Sequence, residues 1–218
     1  MNSAFYITLS AIAAYLIGSL PTAVWYGKAY FGIDVREHGS GNAGATNTFR
    51  VLGKQAGIVV MAVDVFKGWT ATHAANLLVF GDLIYPEDLV LFKLIFGIAA
   101  VIGHIFPIYV GFKGGKGIAT LLGMVLSVHI EAALLCLLVF AIVLILSKYV
   151  SLGSMIAALV FPILLISPKY TPEYHSLVVI IFGFVIFFMV VITHQKNIVR
   201  LINGEENKAK IRIRRKDS

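Results

Sequence analysis

The sequence is short of charge. Only 13% of its 218 residues are Asp, Glu, Lys or Arg, and 59% are apolar. Ordinary soluble domains carry roughly 25% charged residues. With a mean hydropathy of +0.89, too little polarity is left to cover a water-facing surface, which excludes a soluble globular domain. Cysteine is nearly absent as well. Cys136 stands alone inside an apolar run, so an intrachain disulfide and a cysteine-based metal cage are excluded, and it reads as a small buried hydrophobe. No Asn-x-Ser/Thr acceptor occurs, so nothing points to N-glycosylation. No Lys or Arg precedes the first apolar run, the first being Lys28. A cleaved signal peptide carries a positive leading region, so this run is expected to be a genuine span.

Several catalytic signatures are also missing. Gly111-Phe-Lys-Gly-Gly-Lys-Gly117 is not a Walker A loop, because Val110 stands five residues before Gly115 and Gly117 follows Lys116 where Ser or Thr is needed. There is no His-Glu-x-x-His or Asp-rich metal constellation, and neither metal nor cofactor is expected. No histidine is followed five residues later by aspartate, so the His-x4-Asp signature of many acyl-CoA-using glycerolipid acyltransferases is absent. No Gly-x-Ser-x-Gly elbow occurs either.

What is present is a series of apolar segments without strand-like alternation, which predicts an all-α integral membrane protein rather than a barrel. Seven segments can be read, at about 4–26, 56–80, 90–111, 116–130, 131–149, 152–168 and 175–194. The fourth is short, with Gly117 and Gly123, and the fifth follows it almost directly, so length alone also allows five or six spans. Pro21, Pro107 and Pro162 are expected to kink or end helices. Cations fix the orientation. Lys28, Arg36, Arg50 and Lys54 follow the first segment, Lys113 and Lys116 the third, Lys148 the fifth, and a basic tail the seventh. The opposite connections are acidic or neutral. The positive-inside rule then places the N-terminus outside and the C-terminus in the cytoplasm. That requires an odd count, and a seven-transmembrane-helix bundle fits it. Residues 1–206 read as a single transmembrane domain. Residues 207–218 read as a basic cytoplasmic tail anchored on anionic lipid, with no nucleic-acid partner.

Polar residues collect on the cytoplasmic side in four clusters: His38–Arg50, Gly103–Thr120, Lys148–Ser154 and His194–Lys208. Each alone reads as an ordinary connector or cap. Four on one face point to a site, and the chemistry they share is oxyanion binding. Small residues admit close approach of backbone N–H groups, consecutive N–H groups form anion-binding nests, and Arg50, Lys113 and Lys116 add full charges. Within the second segment, Asp64 and Lys67 share a helix face at a depth where ionisable groups usually pair or serve function. A transporter for an organic phosphate is the rival reading, but no internal repeat accompanies these residues.

Together the clusters resemble the bacterial PlsY family, the acyl-phosphate-dependent glycerol-3-phosphate acyltransferases, over nearly the whole chain. The first motif is Gly39-Ser40-Gly41-Asn42-x-Gly44-Ala45-Thr46-Asn47 with Arg50. The second is Gly103-His104-x-Phe106-Pro107 with Phe112-Lys113-Gly114-Gly115-Lys116-Gly117 and Ala119-Thr120. The third is His194-x-x-Asn197-Ile198-x-Arg200-Leu201 with Gly204-x-Glu206-x-Lys208. Asp64-x-x-Lys67-Gly68 and Ser151-Leu-Gly-Ser154 match too. Ala43 stands where the family often has proline, and Glu205 where threonine is common.

The resemblance implies a seven-helix enzyme of the bacterial inner membrane with its site facing the cytoplasm. Its partners would be acyl phosphate, glycerol 3-phosphate and membrane lipids, and it is expected to be a monomer. It would move a fatty acyl group from acyl phosphate to the 1-hydroxyl of glycerol 3-phosphate, the first acylation of phospholipid synthesis. Ser40, Arg50, Lys113, His194 and Asn197 are then the expected catalytic residues. Gly41, Asn42, Gly44, Thr46, Asn47, His104, Gly114, Gly115, Lys116, Gly117, Ser151, Ser154 and Glu206 are expected to bind substrate. Ser40, the amides from Gly41 to Thr46, and Asn42 or Asn47 would cradle one phosphate. Ser151 and Ser154 would add hydroxyl donors. His194 has the titration range of a general base, although a substrate phosphate can accept the proton instead. His104 is expected to shape the second motif rather than transfer protons.

Overall fold

A computed structural model describes residues 3–167, 169–170 and 176–209, so most of the basic tail and the edges of the sixth and seventh apolar segments lie outside it. The described residues contain no strand. Eleven helices follow one another: α1 (Ser3–Gly18), α2 (Thr22–Phe31), α3 (Ala45–Val51), α4 (Lys54–His73), α5 (Asn76–Phe80), α6 (Leu89–Ile105), α7 (Ile118–Val128), α8 (Ile130–Ser147), α9 (Val150–Leu165), α10 (Ser176–Thr193) and α11 (Gln195–Ile202). Each of the seven apolar segments falls on helix. Among the described residues, three stretches are both long and apolar enough to cross a membrane: Ser3–Phe31, Pro86–Val110 and Ile130–Ser147. A fourth is counted if α10 and α11, bent by 63° at His194, are taken together, while α7 and α9 are shorter apolar helices. Outward faces are apolar in the way a lipid-facing surface requires. On α8, Leu138 is 56% exposed and Ile145 61%.

The chain forms two compact units. The first holds, among the described residues, 3–133 and 176, and glycine lets its helices approach closely. A Cβ on Gly68 of α4 would strike the carbonyl of Thr120 on α7, and one on Gly123 of α7 would strike the carbonyl of Val65. Gly18 of α1 lies in the same way against Ala100 of α6, and Gly103 against Tyr15. Where lipid replaces water, such small-residue contacts are the main source of helix association. Pro21 breaks the first segment between α1 and α2, as its missing N–H requires. The break leaves the Leu20 carbonyl outside any helical ladder, and the buried Lys67 ammonium donates to it at 2.9 Å.

The second unit holds, among the described residues, 134–167, 169–170 and 177–209, which is most of α8 with α9, α10 and α11. Gly183 of α10 packs against Pro162 and Leu165 of α9. Of the two expected effects, Pro162 does not end α9, which continues to Leu165. Near a helix end its ring costs one hydrogen bond, that to the carbonyl four residues back.

Candidate active site

The first motif is a loop held in shape by one side chain. Asn47 is 1% exposed. Its Oδ1 accepts from the Ser40 amide at 2.8 Å, and its Nδ2 donates to the carbonyls of Val35 (2.8 Å) and His38 (3.0 Å). The expectation offered Asn42 or Asn47 as a phosphate ligand, but the Asn47 amide is committed to the loop itself. Gly39, at φ +63, takes the left-handed turn that L side chains avoid, and a Cβ there would strike Asn47 Oδ1. The knot leaves the outer part of the loop open. Among the described residues, the backbone N–H groups of Asn42, Ala43, Gly44, Ala45 and Thr46 donate to no protein acceptor. Ser40, Gly41, Thr46 and Arg50 are exposed, and Asn42 and Gly44 partly so.

The second motif is a loop folded back on the end of α6. The Gly114 amide donates to the Ile105 carbonyl and the Gly115 amide to the His104 carbonyl, both at 3.1 Å. The buried His104 ring lies directly against Gly115, where any Cβ would strike Nε2. Gly117 (φ +81) turns the chain into α7. Lys113 is exposed and Lys116 half-buried. Beneath the loops, Asp64 Oδ1 accepts from Lys67 Nζ (2.8 Å) and Thr22 Oγ1 (3.1 Å), so the ion pair predicted from spacing forms inside the bundle.

These two motifs come together in the first unit, and a residue outside both joins them. Arg36 donates to the carbonyls of Val110 (3.0 Å) and Lys113 (3.4 Å). A cleft of about 500 Å³ opens there, lined by Arg36, Glu37, Gly41, Val110, Lys113 and Gly114 among others. Arg36 is also forked onto Asp34. The guanidinium holds the Asp34 carboxyl well below the usual carboxylate range, against the opposing effect of burial. The sequence reading used Arg36 only to orient the chain. The Asp-x-Arg pair just ahead of the glycine loop was the available signal. Among the described residues, neither Arg50 nor the Lys113 ammonium has an ion-pair partner.

The third and fourth clusters come together in the second unit, around Glu206. Its Oε1 accepts from Ser151 Oγ (3.0 Å) and Asn197 Nδ2 (2.7 Å), and its Oε2 from Arg200 Nε (2.7 Å). Burial pushes this carboxyl upward, but the hydrogen bonds from Arg200, Asn197 and Ser151 outweigh it and hold it below the usual glutamate range. Ser151 and Ser154, expected as donors to substrate, donate within the protein instead, Ser151 to Glu206 and Ser154 to the Val150 carbonyl at 2.9 Å. His194 is 2% exposed, with Nδ1 2.8 Å from the Val190 carbonyl. That carbonyl can only accept, so the hydrogen bond assigns the neutral ring's proton to Nδ1 and its lone pair to Nε2.

Comparison with known proteins places these motifs in context. Residues 8–204 match the family model described as glycerol-3-phosphate acyltransferase. A glycerol-3-phosphate acyltransferase of Enterococcus faecalis is 41% identical over 216 residues, covering 96% of this chain and 95% of that protein. Two solved structures of PlsY, an integral membrane glycerol 3-phosphate acyltransferase, are similar in fold. The glycerol 3-phosphate form gives a TM-score of 0.82 at 35% identity, covering 94% of this chain and 96% of its own. The lysophosphatidic acid form gives 0.79 at 33% identity, covering 93% and 95%.

Proposed function

The chain belongs to the glycerol-3-phosphate acyltransferase family, and from that premise we propose that it uses acyl phosphate as donor, acylating the 1-hydroxyl of glycerol 3-phosphate to give lysophosphatidate and inorganic phosphate. The observation that carries this reading is the run of five amides from Asn42 to Thr46 that have no acceptor among the described residues, with the cations Arg50 and Lys113, likewise without an ion-pair partner among them, on the two loops that line one cleft with Arg36. Consecutive N–H groups without protein acceptors form an oxyanion nest. Two phosphate-bearing substrates call for that chemistry, and neither needs a pocket for a nucleotide carrier.

Acyl phosphate is an activated mixed anhydride, so no acyl-enzyme is required. The glycerol hydroxyl oxygen attacks the carbonyl carbon, the bond from that carbon to the phosphate oxygen breaks, and phosphate leaves. The hydroxyl proton passes to a substrate phosphate oxygen; in the second unit, His194 carries on Nε2 the lone pair that a base needs. In this account Ser40, Gly41, Asn42, Gly44 and Thr46 line the phosphate cradle, with Asn47 holding it in shape and Arg50 adding charge. Lys113 and Lys116 neutralise the leaving group, while Gly114, Gly115 and Gly117 keep the backbone bare beside them. His104 supports that loop from below. In the second unit, Glu206 aims the Asn197 amide, with Ser151 and Ser154 bracing the start of α9. We place the enzyme in the bacterial inner membrane as a seven-span monomer, N-terminus outside and site toward the cytoplasm.

The test is turnover by purified protein supplied with acyl phosphate and labelled glycerol 3-phosphate. Lysophosphatidate is expected. Saturable uptake of the phosphate ester into vesicles with no product would favour a transporter. Removing a preorganised charge partner costs about 2.7–4 kcal/mol of barrier, so Lys113→Ala and Arg50→Ala should each lower kcat/KM by ~100-fold or more. Turnover near wild type in either would remove that residue from the machinery.

A further inference from the structure

Arg36 lies in the single 3-10 turn (Val35–Glu37) that leads from α2 into the first loop. Asp34 caps this turn, its Oδ1 accepting from the Arg36 amide at 3.0 Å. The same carboxylate takes the side chain in a fork, with Nε on Oδ1 at 3.0 Å and Nη2 on Oδ2 at 2.7 Å. Asp34 is nearly buried, at 8% exposed. The fork fixes the guanidinium plane and leaves Nη1 pointing away from Asp34, toward the carbonyls of Val110 and Lys113.

The residues between those two carbonyls are unusual. Gly111 (φ +69) and Phe112 (φ +60) are both left-handed, a conformation that is strained for an L residue such as Phe112. Two consecutive left-handed residues turn the Val110 and Lys113 carbonyls toward one point, and Nη1 occupies it. On its other side the Arg36 carbonyl lies 3.4 Å from where a Cβ on Gly41 would stand, so the first loop passes directly over the same residue. One arginine thus bonds the backbone of the second loop and lines one cleft with Gly41 of the first, while its side chain is spent on protein partners.

We propose that Arg36 is a positioning residue, which holds the left-handed turn at 110–113 so that the Lys113 ammonium faces the substrate phosphate. It acts through Lys113 and makes no substrate contact of its own. The effect on turnover rests on the reaction proposed above, whereas the anchoring of the turn does not. Charge alone does not satisfy the geometry. A lysine keeps the positive charge but has no planar fork to grip Asp34 and reach across at once.

The test combines kinetics with hydrogen exchange on the full chain in nanodiscs. Arg36→Ala and Arg36→Lys are each expected to lose ~10-fold in kcat/KM, and because coupled residues are non-additive, adding either to Lys113→Ala should change the remaining activity by less than about twofold. Full rescue by Arg36→Lys, or additive losses in the double variant, would overturn the proposal. The amides of Phe112, Gly114 and Gly115 are hydrogen-bonded, so their exchange reports on the turn directly. Faster exchange confined to 110–115 supports the proposal. Unchanged exchange there, or faster exchange throughout the chain, contradicts it. A wild type that makes no lysophosphatidate would overturn the assigned reaction and Arg36's part in it, while exchange would still decide whether Arg36 holds the turn.

Discussion

At the residue scale, one glycine-rich stretch owes its shape to a single amide. Asn47 both accepts and donates, so it distinguishes two substitutions. Asn47→Ala strands the Ser40 amide and takes one of two donors from each of the Val35 and His38 carbonyls, which keep the His38 and Gly41 amides; losing a partner of this kind costs about 1–3 kcal/mol. Asn47→Asp keeps the acceptor toward Ser40 but turns a carboxylate oxygen on the carbonyls of Val35 and His38. It should be at least as damaging as alanine, with both variants losing turnover through a disordered loop; wild-type kinetics in Asn47→Asp would contradict this. Glu206 gives a pH-dependent counterpart. Its carboxyl is held below its ordinary value, so the stability it contributes is present above the ordinary glutamate range of about 4.3 and is lost as pH falls through the lowered value. The melting temperature of Glu206→Gln should therefore lie below wild type at neutral pH, with the gap narrowing only in acid. A gap that changed between pH 6 and 8 would assign the titration to another group. The sequence made these positions visible as motif members. It did not reveal which side chains face a ligand and which face the loop, because that depends on carbonyls brought together only by folding.

At the element scale, the apolar helices were legible from hydropathy, since apolar length needs no tertiary information, whereas the polar helices α3 and α11 lie outside the apolar segments and were not read as helix. The break at Pro21 and the shortness of the fourth segment, 11 residues in α7, followed from proline and glycine chemistry. The glycines of the apolar segments were harder to read. Gly123 marked a weak span in the sequence. In the fold it is a contact point, where α7 meets α4 backbone to backbone, with Gly68 as its counterpart. A methyl inserted into such a contact must push the helices apart, and overpacking of this kind typically costs about 1–3 kcal/mol. Gly68→Ala and Gly123→Ala should each lower the melting temperature in detergent. Gly53→Ala, in open space but at φ +90, should lower it through backbone strain alone. An unchanged melting temperature in both Gly68→Ala and Gly123→Ala would show that the helices are not held at that contact.

At the scale of the whole molecule, composition settled the class, and cation placement predicted an orientation that a vesicle-sidedness experiment can check. Four polar clusters on one predicted face gave the site its chemistry. In the fold they pair as first with second and third with fourth, each pair inside its own unit. Arg36 was the part the sequence left unread, since its bonds go to backbone carbonyls 74 and 77 residues away, and no residue identity encodes those. The central claim is that phosphate, and not a thioester carrier, activates the acyl group. It is tested most directly by measuring phosphate release and lysophosphatidate formation together, with purified protein, glycerol 3-phosphate and either acyl phosphate or an acyl thioester. The account predicts equal amounts of the two products from acyl phosphate and no lysophosphatidate from the thioester. Lysophosphatidate from the thioester alone, or phosphate released without it, would contradict the account.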